Sequence, residues 1–139
     1  MGAWGVGIFQ DDSSLDWVEE EYTAGGEEAV RAALDVAADA KPGDYLEHDE
    51  GAAARTAAEI VAAAFGAPPD LSDADALDTL MEHAESVAED DTLITLALSA
   101  VRRVAADNSE LAELWTEGDG AADWVAAIEG LEARLKGLQ

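Results

Sequence analysis

Cysteine is absent from this chain of 139 residues, and lysine and arginine together number only 7. The first absence removes disulfides, thiolate metal sites and cysteine nucleophiles, without identifying a compartment. The second bears on partners, because a nucleic-acid binder needs cations to neutralise phosphates and release counterions. Arg31, Lys41, Arg55, Arg102, Arg103, Arg134 and Lys136 are scattered apart from one adjacent pair, so no phosphate-tracking groove and no nucleic-acid partner is expected. A negative surface also repels anionic lipid head groups, which argues against a membrane partner. Long apolar runs are missing as well: the run at 60–65 falls far short of the roughly 18 residues of a membrane span. Residues 1–6 hold no basic region and no apolar signal core, and Val6 stands where a myristoylation signal wants Ser or Thr. The expected location is the cytoplasm.

Histidine is nearly absent too, with His48 and His83 the only two. Acids surround both, yet nothing matches His-Glu-x-x-His, and two isolated histidines make no zinc site without carboxylates from elsewhere. Asp73-x-Asp75-x-x-Asp78 lacks the Gly and the terminal Glu of a calcium loop and suits a helix first turn better. Gly2-x-x-Gly5-x-Gly7 has the wrong order for a dinucleotide loop and is followed by no Lys-Ser/Thr. No metal site and no cofactor is therefore assigned, although nonspecific cation binding is expected at this charge density.

What is abundant is acid: 32 Asp and Glu give a net charge of −25 at pH 7. Self-repulsion of that size destabilises a compact state and calls for an origin. Three fit: a host whose proteins are generally acidic, a codon bias toward Ala, Gly, Asp and Glu, or a binding face for a basic protein or a mimic of nucleic-acid charge. The first two need no particular role for the molecule.

Alanine is abundant as well, and apolar residues recur at helical spacing along most of the chain. Residues 1–12 lack that period and read as an ordered, extended lead-in. Ser13 with Asp16 forms an acidic capping-box pattern, and Leu15, Val18 and Tyr22 follow on one face until Gly25-Gly26. A second helix from about Glu27 buries Val30, Ala33, Leu34 and Ala37 and stops at Lys41-Pro42-Gly43. Residues 44–50 read as a loop. An alanine-rich helix over about 50–65 ends in Ile60, Val61 and Phe65, and Ala67-Pro68-Pro69 breaks the chain. Ser72-x-x-Asp75 caps a fourth helix carrying Leu77, Leu80, Met81, Ala84 and Val87. A fifth, over about 91–106, is apolar nearly all round and is expected at the centre of the fold. Arg102 and Arg103 in its last turns suit the helix dipole. A short helix at 109–116 leads through 118–120 to a last one at 121–137, striped by Trp124, Ile128, Leu131 and Leu135. The fold class is all-α: one domain over 1–139, a compact bundle of about six to seven helices with an extended Gly- and Trp-rich N-terminal segment. Asp16-Trp17-Val18 is echoed by Asp123-Trp124-Val125, which two good helix starts explain without a duplication.

The opening Gly2-Ala3-Trp4-Gly5-Val6-Gly7-Ile8-Phe9-Gln10-Asp11-Asp12, followed by Asp16-Trp17, resembles the start of the bacterial and archaeal family known as domain of unknown function 4259. That family opens on Gly-x-Trp-Gly, then Phe, an Asn-Asp or similar pair, and Asp-Trp or Asp-Phe in the first helix; Gln10 stands where Asn is commoner. The alanine-rich segment at 57–63 and the tail from 111 to 135 are similar to it as well. The resemblance implies a small helical domain and supplies no activity, cofactor or catalytic residue.

Trp4, Phe9 and Trp17 with Asp11, Asp12 and Asp16 are the candidate ligand or interface residues, since aromatic walls with convergent polar groups make small-ligand sites. The structural alternative is that these aromatics pin the lead-in onto the helices. Trp17 falls off the Leu15/Val18/Tyr22 face, so the lead-in or a second subunit is expected to cover it. No catalytic residue is assigned: there is no Gly-x-Ser-x-Gly elbow, and paired carboxylates are too common here to be diagnostic. Glu59, among Ala57, Ala58, Ile60 and Val61, is the one acid whose neighbours suggest burial. The reading that follows is a non-catalytic module that binds a protein partner or associates with itself as a homodimer. A narrower form is an inhibitor or immunity-type protein facing a basic partner. The alternative is a small-molecule or metal-ion-binding helical domain, or a minor enzyme, built on the lead-in motif.

Overall fold

The computed structural model describes residues 12–69, 74–117 and 121–139. The expected lead-in at 1–11, with Trp4, Phe9 and Asp11, the Ser72 cap and the link at 118–120 lie outside the described residues, while Asp12, expected in the lead-in, is already helical. Among those described, the chain forms eight helices and no strand. Helix α1 has three stretches, Asp12–Trp17, a π-wound Val18–Tyr22 and Thr23–Gly25. Then come α2 (Glu27–Asp39), α3 (His48–Ala64), α4 (Ala74–Leu80), α5 (Ala84–Ala88), α6 (Thr92–Val104), α7 (Glu110–Thr116) and α8 (Ala121–Gly137).

Helices α2, α3 and α6 each pack against the other two and form the centre. Helix α6 lies at the centre as expected, but it is not apolar nearly all round. Thr95, Ser99 and Arg102 give α6 an exposed face, whereas α3 is buried almost all round from Gly51 to Ala63. Alanine explains this: side chains one carbon long let neighbouring helices approach α3 closely, and alanine has the best helix propensity. Around this centre α1 and α5 lie on α3, and α8 lies on α6, α3 and α7.

The α2 stripe of Val30, Ala33, Leu34 and Ala37 is buried as the spacing predicts, and so are Trp124, Ile128, Leu131 and Leu135 on α8. The fourth predicted helix is instead two. The chain turns at residues 81–83 between α4 and α5, which leaves Met81 exposed while Leu80 and Val87 stay in the core. The Asp-Trp-Val echo does not extend to packing. On α1 Val18 is buried and Trp17 half-buried, whereas on α8 Trp124 is buried and Val125 exposed.

Residues 44–47 form a loop as expected, but α3 starts earlier than about 50, at His48. Glu47 and Glu50 close a capping box there, each side chain accepting from the other's end of the turn. Leu46 pairs with the α6–α7 loop: its N–H donates to Asn108 O at 2.8 Å and its carbonyl accepts from Glu110 N at 2.9 Å. The buried Arg103 guanidinium ties the same two loops together. It donates to the carbonyls of Ala40, Lys41, Asp44, Asp107 and Asn108 at 2.6 to 3.4 Å.

Candidate functional site

Ser13 is the second residue of α1 and so does not cap it. Its hydroxyl donates to Asp49 Oδ1 at 2.7 Å, tying α1 to the first turn of α3. His48 Nδ1 also lies 3.2 Å from that oxygen. Ser14, rather than Leu15, fills the buried position ahead of Val18 and Tyr22. Within 18–22 the winding loosens: Thr23 N–H reaches back five residues to Val18 O, the bonding of a π-turn.

That turn changes where Trp17 stands relative to the Val18 and Tyr22 face. In an unbroken α-helix residues 17 and 22 stand about 140° apart. The extra residue in the turn closes that gap, and the two rings stack with centroids 6.0 Å apart at an interplanar angle of 17°. Trp17 therefore packs on the core from α1 itself. Trp4 and Phe9, expected to cover it, lie outside the described residues.

Beside Trp17 a groove of about 350 Å³ opens between α1, α2 and α3. Helix α2 contributes Ala29, Ala32, Ala33 and Val36, spaced i, i+3, i+4, i+7 and so aligned on one face. Ala53 closes it from α3, and Glu21, Asp49 and Glu50 supply its acids. Val36 is 46% exposed, a large apolar side chain left facing water. Ser13, then His48, hold the Asp49 carboxyl below the ordinary carboxylate range, more than its slight burial raises it. Of the three described residues among the six expected at a site, only Trp17 lines this groove. Asp12 and Asp16 are exposed on α1, and Trp4, Phe9 and Asp11 are outside the described residues. The α2 wall and the acids of α3 were missed. Val36 was their signal, an apolar residue standing off the buried α2 stripe.

A second hollow, of about 500 Å³, lies at the joint between α1 and α2. Ala24, Gly25, Gly26 and His83 line it together with Ser86 and the acids Glu27, Glu28, Glu89 and Asp90. Arg31 already bonds Asp90 and lies 3.7 Å from Glu27. Tyr22 organises this corner: its hydroxyl donates to Leu80 O at 2.7 Å and accepts from His83 N at 3.0 Å, and its ring meets His83 edge-on. Burial raises the Tyr22 hydroxyl above the ordinary phenol range, against the lowering effect of the His83 N–H. Among the described residues no group of three or more His, Asp or Glu is placed to hold a metal ion. No helix among them is long and apolar enough to cross a membrane.

Fold and site together define an acidic all-α protein with an open, acid-rimmed apolar groove on three packed helices. The chain belongs to the family described as domain of unknown function (DUF4259), which matches residues 2–127 and so ends within α8. Comparison with curated proteins and with solved structures gives no match.

Proposed function

We propose that this chain is a non-catalytic binding module whose partner is a basic protein. The observation that carries this reading is where the cations are. Arg55 and Arg103 are buried. Arg134 pairs with Glu59, Arg31 with Asp90, and Arg102 and Lys136 converge on Glu132. Six of the 7 Lys and Arg are thus buried or held by a carboxylate, which leaves few cations for the acids among the described residues, most of which are exposed. A surface of one sign steers an oppositely charged partner and rejects like-charged ones. The acids with displaced ionisation agree with a surface role: Asp49, Asp90 and Glu132 are all held in their charged form, the opposite of a general acid. An inhibitor or immunity-type protein is the narrower form of this reading.

The hollow at the α1–α2 joint, lined by Glu27, Glu28, Glu89 and Asp90, is the feature that favours a small cationic ligand instead. Arg31 supplies its cation internally, which leaves that reading second. The test is retention of small basic proteins on the immobilised chain, with acidic proteins of equal size as controls. Retention of basic proteins that salt reverses is the expected result; equal retention of both sets contradicts it.

A further inference from the structure

We propose that the groove beside Trp17 is an arginine-docking site, in which a guanidinium of the basic partner stacks on the Trp17 indole between the carboxylates of Glu21 and Asp49. This rests on the basic-partner reading and names the side chain that anchors it. Trp17 is fixed by stacking on Tyr22 and remains half-buried, so it presents a held aromatic wall to the groove. Ala29, Ala32, Ala33 and Ala53 leave room for an aliphatic stem, and Val36 flanks it. The acids come from two helices, Glu21 from α1 and Asp49 from α3, while Glu50 is engaged with Glu47 N at 3.0 Å in the capping box. Asp49 is oriented by Ser13 and carries its charge at neutral pH. No cation lies among the described lining residues, so the site lacks what its chemistry best accommodates. Arginine suits it better than lysine, because the guanidinium is planar, weakly hydrated and stacks on aromatic faces, whereas an ammonium is a strongly hydrated point charge. A second copy is a poor occupant, since each carries −25 and would meet the same acids.

The experiment is calorimetric titration of the full chain with three short peptides, in which leucine alternates with arginine, lysine or glutamate. The arginine peptide binds about five- to tenfold tighter than the lysine peptide, and the glutamate peptide does not bind. Glu21→Gln weakens the arginine peptide about threefold, as for an exposed charge pair. Ala32→Arg places a guanidinium in the groove from an exposed position and weakens binding at least about tenfold. Glu129→Gln, on the exposed face of α8, changes neither. Equal affinity for arginine and lysine, insensitive to Glu21→Gln and Ala32→Arg, overturns the groove while leaving the basic-partner reading in place. Failure of both cationic peptides to bind overturns both. Two further results overturn arginine docking. A doubled mass in sedimentation that Ala32→Arg abolishes assigns the groove to a second copy. A free protein that Ala32→Arg destabilises by several degrees, with no peptide bound, assigns it to residues 1–11.

Discussion

The Glu59 carboxylate is 3% exposed on α3, where Arg134 Nη1 and Nη2 meet its two oxygens at 2.7 and 3.2 Å. The same guanidinium donates to Ala67 O at 3.1 Å, so one side chain of α8 fastens the end of α3 and the break after it. Removing Arg134 leaves a buried charge without its partner. Arg134→Ala is expected to cost on the order of 2–4 kcal/mol in denaturant melts. Replacing both residues by leucine recovers most of that loss, because desolvation is then no longer opposed by a stranded charge. Burial of Glu59 was legible from its neighbours; its partner was not, since 75 residues separate them and only packing brings them together. Arg103 was legible in half. The i, i+4, i+7 line from Leu96 through Ala100 points to it, but the loop carbonyls that receive its hydrogen bonds have no sequence signature. Asp49 gives a pH dependence. Its folded ionisation lies below the ordinary value, so its contribution is present above about pH 3.9 and is lost as pH falls through the folded value. Ser13→Ala removes the main cause. The melting difference between it and the native chain is expected to be small at neutral pH, under about 1 kcal/mol, and to close below about pH 4.

Between elements, the joints diverge most from what spacing predicts. Period counting places Val18 and Tyr22 correctly because they are four apart, but it cannot find a π-turn, and that turn alone puts Trp17 beside Tyr22. The interruption at 81–83 escapes it too, since Leu77, Leu80, Ala84 and Val87 keep helical spacing across the break. Tyr22 holds that break through Leu80 O and His83 N. The α1–α2 joint rests on Gly26 at φ 57°, ψ −129°, a conformation largely closed to other residues. A Cβ there would come within 3.2 Å of His83 Cγ. Gly26→Ala is expected to destabilise by about 1–3 kcal/mol. Gly130, inside α8, is the contrast, since a Cβ there would meet no atom within 4 Å. Gly130→Ala is expected to stabilise by about 0.5–1 kcal/mol, through better helix propensity and a less flexible unfolded chain. Thermal melts of the two variants check both signs. The candidate site was legible only at Trp17, because a groove is made by three helices meeting and each wall looks ordinary alone.

At the scale of the whole molecule, the class and most buried stripes follow from period and punctuation, while the order of burial follows from side-chain size. The alanine helix lies inside because it is thin, not because it is the most hydrophobic. Charge acts at this scale as well. With six of its seven cations buried or paired, the folded surface holds its acids closer together than the unfolded chain does, and that repulsion opposes folding until salt screens it. The central claim, a surface of one uncompensated sign, is tested most directly by thermal melts of the full chain at pH 7 as NaCl rises from about 0.1 M to about 1 M. Over that range the Debye length falls from about 10 Å to about 3 Å. The melting temperature is predicted to rise throughout; a flat or falling melting temperature would show that the acids are already compensated and would contradict the account.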